Sequence, residues 1–209
     1  MSMASTPLVP LESGDRLTRE EFHRRYCARP DIKKAELIMG VVYVASPTSG
    51  RHGGPHGMIV TWLGHFAAGT PGVRLMVEAT NFITADSEVQ PDAFLFYDPP
   101  RQAGDARLTE DDYVEGAPQL VVEVAATSAS YDLHDKKEVY RRAGVPEYIV
   151  WRVLDRRIDW FRLRDGEYVR IEPDARGTIE STAFPGLRLA VEKMLAGDLA
   201  GVLTEMGSG

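Results

Sequence analysis

The chain has a single cysteine, Cys27, among 209 residues. No disulfide can form within it, which fits a reducing, cytoplasmic setting. Cys27 lies in a polar stretch, His23-Arg24-Arg25-Tyr26-Cys27-Ala28-Arg29, with no supporting motif. It reads as a passive thiol, because reactivity needs a specific electropositive niche. No run approaches the ~18 apolar residues needed to cross a bilayer. The start lacks the basic-then-apolar layout of a secretory signal. A membrane partner is therefore not expected. There is no internal repeat and no evident linker. A basic excess is missing too, since the net charge is −7. Proteins that grip nucleic acid through phosphates carry a basic footprint, so any footprint here must be local. The candidates are Arg24 and Arg25, Arg141 and Arg142, and the run Arg152, Arg156, Arg157, Arg162 and Arg164. Such runs are more often solvated faces than DNA grooves, and the overall balance counts against tight non-specific DNA binding.

What is present suits one globular domain: 44% of residues are hydrophobic and 26% charged, close to ordinary values. Residues 1–15 read as a flexible leader, 16–200 as a single domain and 201–209 as a tail. Leu17 to Phe22 predicts a helix start, with Thr18 as N-cap and Glu21 completing a capping box. Glu36-Leu37-Ile38 and Val41 to Ala45 flank Met39-Gly40, the pattern of a tight hairpin. Ser46 to Pro55 reads as a turn-rich loop carrying His52 and His56. From His56 to Ala68, Ile59, Leu63 and Phe66 recur at helical spacing. Leu75–Ile83 and Ala93–Tyr97 read as strands. Leu120–Ala125 is nearly continuous apolar sequence, typical of a strand buried on both faces. Tyr131–Ala143 reads as a helix ended by Gly144-Val145-Pro146. Tyr148–Val153 is a further strand, and Ile158–Leu163 with Tyr168–Ile171 form a hairpin around Asp165-Gly166. Trp151, Trp160 and Phe161 read as packing for that hairpin rather than as base-stacking residues.

Three positions break these local rules. Glu123 is an acid inside an aliphatic strand, where a buried carboxylate needs a partner or a cation. Asp92 follows Pro91 at the mouth of the strand Ala93–Tyr97. Lys136 falls, at ~100° per residue, on the stripe shared by Val139, Tyr140 and Ala143; a lysine there must snorkel or pair. Read plainly, Glu123 and Lys136 form a structural ion pair. Read for chemistry, Asp92 and Glu123 hold Mg²⁺, which prefers oxygen ligands, while Lys136 orients an attacking water and offsets phosphate charge.

Pro91-Asp92, Leu120-Val121-Val122-Glu123-Val124, Tyr131-Asp132 with Lys136 and Tyr140, and Ala143-Gly144-Val145-Pro146-Glu147-Tyr148 resemble the Uma-type restriction endonuclease family of the PD-(D/E)XK nuclease superfamily. Further landmarks are Thr18 to Phe22, Glu36-Leu37-Ile38, Ser46-Pro47, Arg51-His52, Glu115 to Pro118 and Phe184 to Leu187. The resemblance covers the chain from about residue 17 to 195. It implies an α/β fold with a central mixed β-sheet flanked by helices, a restriction-endonuclease-like core and an added β-hairpin region. It implies Asp92, Glu123 and Lys136 as the catalytic set. Metal ligands would be Asp92, Glu123 and the carbonyl of Val124, with Mg²⁺ or Mn²⁺ bound. In the superfamily the lysine usually stands two residues after the glutamate; here that position is Ala125, and the family moves the lysine to the following helix, matching Lys136. Glu36, His52 and Gln90 are possible additional members, each with a plainer reading as a strand, loop or turn residue. Glu78 reads as a solvent-facing or locally paired acid.

Three stretches depart from the family pattern: Met39-Gly40-Val41, Ala125-Ala126-Thr127-Ser128 and Ile149-Val150-Trp151-Arg152. Besides a weaker third, hydrolysis of another phosphate ester, two readings of function stay open. One is a metal-dependent endonuclease hydrolysing DNA phosphodiester bonds, acting as a homodimer by analogy with paired restriction sites. The other is a catalytically silent nucleic-acid- or protein-binding module that reuses the fold.

Overall fold

In a computed structural model, residues 10–45, 49–126 and 129–206 are described. In chain order the elements are α1 (Arg19–Cys27), β1 (Ala35–Ile38), β2 (Val41–Val44), α2 (Gly50–Gly69), β3 (Val73–Val77), β4 (Asn81–Thr84), β5 (Ser87–Val89), β6 (Ala93–Tyr97), β7 (Arg107–Leu108), β8 (Val114–Glu115) and β9 (Leu120–Ala125). There follow α3 (Ala129–Tyr131), a π-helical segment (Asp132–Lys136), α4 (Lys137–Ala143), β10 (Glu147–Arg152), β11 (Arg157–Arg164), β12 (Glu167–Ile171), β13 (Thr178–Glu180), β14 (Arg188–Ala190), α5 (Val191–Ala196) and α6 (Leu199–Met206).

The expected central mixed sheet runs β12-β11-β10-β9-β6-β3. Its middle strand, β9, pairs parallel with β10 and antiparallel with β6, and all six of its residues are buried. One face of this sheet packs against α2, α5 and α6 through Ile59, Trp62, Leu63, Met194 and Val202. The other face meets a second sheet, ordered β2-β1-β5-β4-β8-β7. Ile38, Ile83, Val89 and Val114 from that sheet pack with Phe94, Phe96, Val121 and Tyr140. Helix α1 covers the outer side through Phe22, against Leu37 and Val42. Trp160, Trp151 and Phe161 are buried as hairpin packing, with Trp160 edge-on to Trp62.

Local chemistry explains most boundaries. Thr18 caps α1 by accepting the Glu21 amide at 3.3 Å. The reciprocal half of the capping box is replaced, because Glu21 turns to Arg24 and Arg25. Met39 and Gly40, both at positive φ, join β1 to β2 in the tight turn whose twist suits a hairpin. Asp165 and Gly166 do the same between β11 and β12. Gly144, at φ 80°, ends α4 in the left-handed conformation, and its amide bonds back to Arg141 and Tyr140.

The structure corrects four expectations. The strand expected over Leu75–Ile83 is two strands in different sheets. Glu78, at φ 51°, turns the chain out of β3 towards β4, a break that alternating apolar residues do not disclose. Helix α2 begins at Gly50, so His52 and His56 are helical rather than in a loop. Its glycines and Pro55 lower the propensity, and contacts from both histidines to Asp92 override it. Residues 10–15, expected in the leader, run beside β2: Leu11 is buried, Gly14 donates to Val42 and Asp15 accepts from it. Residues 201–206 of the expected tail belong to α6, with Val202 buried. The Ser46-Pro47 landmark and the Thr127-Ser128 loop lie outside the described residues.

Candidate active site

Asp92 stands where the chain re-enters the central sheet after its excursion through β4 and β5. The β6–β9 ladder pairs Ala93 with Val122, so one further step sets Asp92 across from Glu123. Strand alternation turns Asp92 to the face of Phe94 and Phe96, and Glu123 to the face of Val121 and Ala125, both towards the core between the sheets. The two acids are 3% and 2% exposed.

Asp92 finishes the ladder with its side chain. Its Oδ2 accepts the Val124 amide at 2.7 Å and lies 3.1 Å from His52 Nε2. Its Oδ1 accepts from Lys34 Nζ at 3.3 Å, while its backbone carbonyl lies 2.9 Å from His56 Nε2. The N–H and C=O of a strand residue point to the same edge, so the Val124 carbonyl faces the Asp92 side as well. Glu123 Oε1 accepts from Lys136 Nζ at 2.9 Å and from the Tyr140 hydroxyl at 2.7 Å. Lys136 Nζ also lies 2.9 Å from Glu36 Oε2 and 4.0 Å from Asp132 Oδ1.

The helix wheel correctly turns Lys136 inward with Val139 and Tyr140, but the backbone there is π-helical, not α-helical. The wider turn buries Asp132 and Lys136 together, each 3% exposed, and the Tyr148 hydroxyl bonds the Asp132 carbonyl at 2.9 Å. Such π segments are frequent at functional sites.

Glu36, Asp92, Glu123 and Asp132 are four buried acids, met here by two lysines, Lys34 and Lys136. That imbalance shapes their protonation. Burial, together with Asp92, Asp132 and Glu36, pushes Glu123 up to about 8 despite Lys136. Burial also works to raise Asp92, but the His52 hydrogen bond and the charges of Lys34 and Lys136 hold it well below the usual carboxylate range. Burial opposes the Lys136 charge, yet Glu123, Glu36 and Asp132 hold its proton far more firmly than in water. His52 is raised by its bond to Asp92.

The donor chemistry suits a hard divalent cation. Two carboxylates on adjacent strands share an edge with a backbone carbonyl, and Mg²⁺ takes one or two protein carboxylates while keeping several waters. Among the described residues no three His, Cys, Asp or Glu side chains converge as ligands. A cation placed there would meet two carboxylates and keep several waters.

Of the residues singled out from sequence, Asp92, Glu123, Val124, Lys136, Glu36 and His52 join one connected network. Gln90 enters only through its backbone, whose amide bonds Glu36 Oε1 at 2.7 Å; its side chain links Tyr26 and Thr80. Glu78 is exposed. The sequence reading gave no site role to Lys34, Asp132 or His56. Lys34 stands two residues before Glu36, just ahead of β1, and Asp132 four before Lys136, so spacing could have found both. Most candidate arginines are tied to acids: Arg24 and Arg25 to Glu21, Arg141 to Glu138, Arg142 to Asp86, Arg152 to Asp155 and Asp159, and Arg162 to Glu147.

No helix among the described residues is long and apolar enough to cross a membrane. No curated protein matches the chain. A crystal structure of a "putative nuclease belonging to DUF820" from Anabaena variabilis ATCC 29413 superposes with a TM-score of 0.65 at 15% identity, covering 83% of this chain and 97% of that one. At that identity the likeness speaks for the fold, a restriction-endonuclease-like mixed α/β core. The Uma2 family model, described as "putative restriction endonuclease", matches residues 19–192. With most of its length under that model, the chain belongs to the Uma2 family.

Proposed function

We propose that the protein is a metal-dependent endonuclease that hydrolyses DNA phosphodiester bonds, with Mg²⁺ or Mn²⁺ held by Asp92, Glu123 and the Val124 carbonyl. The observation that carries this reading is the meeting of Asp92 and Glu123 on adjacent strands with the buried Lys136 on Glu123 at 2.9 Å. A bound divalent cation would supply Lewis-acid polarisation of the phosphoryl group and a more acidic water.

The chain's own residues then divide the work. Asp92 stays ionised across the physiological range. Lys136 stays charged, so it orients the attacking water and offsets charge at phosphorus but is not the base. Glu36 and Asp132 hold the Lys136 ammonium in place. The deepest members of the network are about 5% exposed or less, whereas the side chains of Lys34 and His52 are 26% and 17% exposed. A phosphodiester therefore approaches past Lys34 and His52, two groups able to meet its negative charge near the start of α2. Water adds across one P–O ester bond, leaving a phosphomonoester and a free hydroxyl. Cytoplasmic location and a homodimer that places two such sites on opposite strands belong to the same proposal; sedimentation of the purified chain tests the dimer.

With Mg²⁺ or Mn²⁺, the wild-type protein is expected to cleave supercoiled plasmid. Asp92→Ala and Lys136→Ala should each reduce the rate by about 10²-fold or more, the usual cost of losing a charge-stabilising group. Unchanged rates in both variants would remove the assignment. Linear DNA, RNA and small nucleotides assayed beside the plasmid define the phosphodiester class. The partners already on both acids favour the second reading, a silent binding module. It predicts no turnover with any divalent ion.

A further inference from the structure

Helix α1 and the second sheet build another constellation. His23 and Cys27 stand four residues apart on α1, one above the other on the same helix face. His23 Nε2 lies 3.5 Å from Cys27 Sγ, and His23 Nδ1 lies 3.0 Å from Glu88 Oε1. Glu88 sits in β5, paired to β1 at Leu37 and to β4 at Phe82, and is 1% exposed. Its second oxygen, Oε2, is buried with no hydrogen-bond partner among the described residues; burial works to raise this carboxyl, while the His23 hydrogen bond and the charges of His23 and Arg19 oppose that. The His23 ring is fixed edge-on by Phe82 and Tyr113, at 5.1 and 5.0 Å between centroids. The Tyr113 hydroxyl is 3.9 Å from Cys27 Sγ, and Cys27 itself is exposed.

A buried carboxylate needs a partner, and a Glu88–His23 pair alone would meet that need. It would not require the other ring nitrogen to face an accessible thiol. Nucleophile, base and an acid that orients the base are the three parts of an activated nucleophile. We infer that Cys27 is a base-assisted thiol poised for oxidation by hydroperoxides, with His23 as its base and Glu88 as the residue positioning the ring.

The tautomer follows from the partners: Nδ1–H donates to Glu88, leaving the Nε2 lone pair for the thiol. With hydrogen peroxide as the oxidant, His23 takes the S–H proton as sulfur attacks one peroxide oxygen. The S–O bond forms and the O–O bond breaks. The departing hydroxide takes the proton back from His23 and leaves as water. Sulfur loses two electrons and becomes a sulfenic acid, while the peroxide is reduced to water and supplies the sulfenic oxygen. The constellation revises the reading of Cys27 as passive: the motif is His23-x-x-x-Cys27 on a helix, and its third member is remote in sequence.

The test treats the full chain with hydrogen peroxide, traps sulfenic acid with dimedone and follows residue 27 by mass spectrometry, with thermal melts alongside. The native protein is expected to react about tenfold or more faster than the same chain in guanidinium chloride, where the thiol is unassisted. His23→Gln should slow the native reaction by a similar factor. Glu88→Gln, which keeps a ring acceptor without its charge, should slow it less. A native rate equal to the denatured rate, or equal rates in wild type and a folded His23→Gln, overturns the inference. Should His23→Gln fail to fold, a wild-type native rate equal to its denatured rate, or a folded Glu88→Gln that reacts at the wild-type rate, overturns it.

Discussion

Replacing Lys136 with methionine is expected to lower the unfolding free energy by about 3–5 kcal/mol, the cost of leaving buried charge without its partner. Lys136 is 3% exposed and bonds Glu123 and Glu36 at 2.9 Å each, with Asp132 at 4.0 Å. Methionine matches its volume but removes the one ammonium among these three carboxylates. At about 2–4 °C per kcal/mol for a domain of this size, calorimetry should show a melting point lower by on the order of 10 °C. The carboxylates can limit the loss by taking protons, so the penalty grows as pH rises. Adding Glu123→Gln to Lys136→Met should recover part of the loss, because the two residues share one interaction. Equal losses with and without Glu123→Gln would mean that Lys136 stabilises by packing alone.

Glu123→Gln is expected to flatten the pH dependence of stability between about 4.5 and 8. The sign follows from proton counts. Glu123 titrates near 4.5 in the unfolded chain and near 8 in the folded one, chiefly because of burial. Between those values the folded protein holds a proton that the unfolded chain has lost, so stability falls as pH rises. Below the lower value both states are protonated and the contribution is fully present; above the upper value it is lost. A tenfold change in proton affinity is worth about 1.4 kcal/mol, so several kcal/mol at most ride on this carboxyl. Asp92 runs the other way, since its lowered value adds stability that disappears only in acid. Urea titrations at several pH values check the slope. A wild-type profile that is flat, or that rises from pH 5 to 8, would contradict the assignment to Glu123. The same proton must leave before Glu123 can ligate, so cation affinity should rise with pH over this range.

How much of this was legible in the sequence depends on what kind of information each feature needs. β9 was plain because a strand buried on both faces must be apolar, and Glu123 was plain because it violates that rule. The turn at Met39-Gly40 and the stop at Gly144 were plain because backbone stereochemistry leaves few alternatives. Lys136 was found by helical angle, although the true winding is π-helical, since an inward lysine still has to find acid. The crossing at Glu78 was not legible: a non-glycine residue at φ 51° is held by tertiary contacts that local patterning does not encode. The early start of α2 was hidden for the same reason. His52 and His56 become helical because Asp92, some forty residues on, gives them partners. Glu88 and His23, sixty-five residues apart, show the same limit at the thiol.

The central claim is that Asp92 and Glu123 form a divalent-cation site, and isothermal calorimetry tests it most directly. Mg²⁺ and Mn²⁺ would be titrated into wild type and into Asp92→Ala combined with Glu123→Ala, near pH 8 where Glu123 can lose its proton. The account predicts binding in wild type that vanishes in the folded double variant. Unchanged binding in the double variant, or no binding by folded wild type with and without DNA, would contradict it.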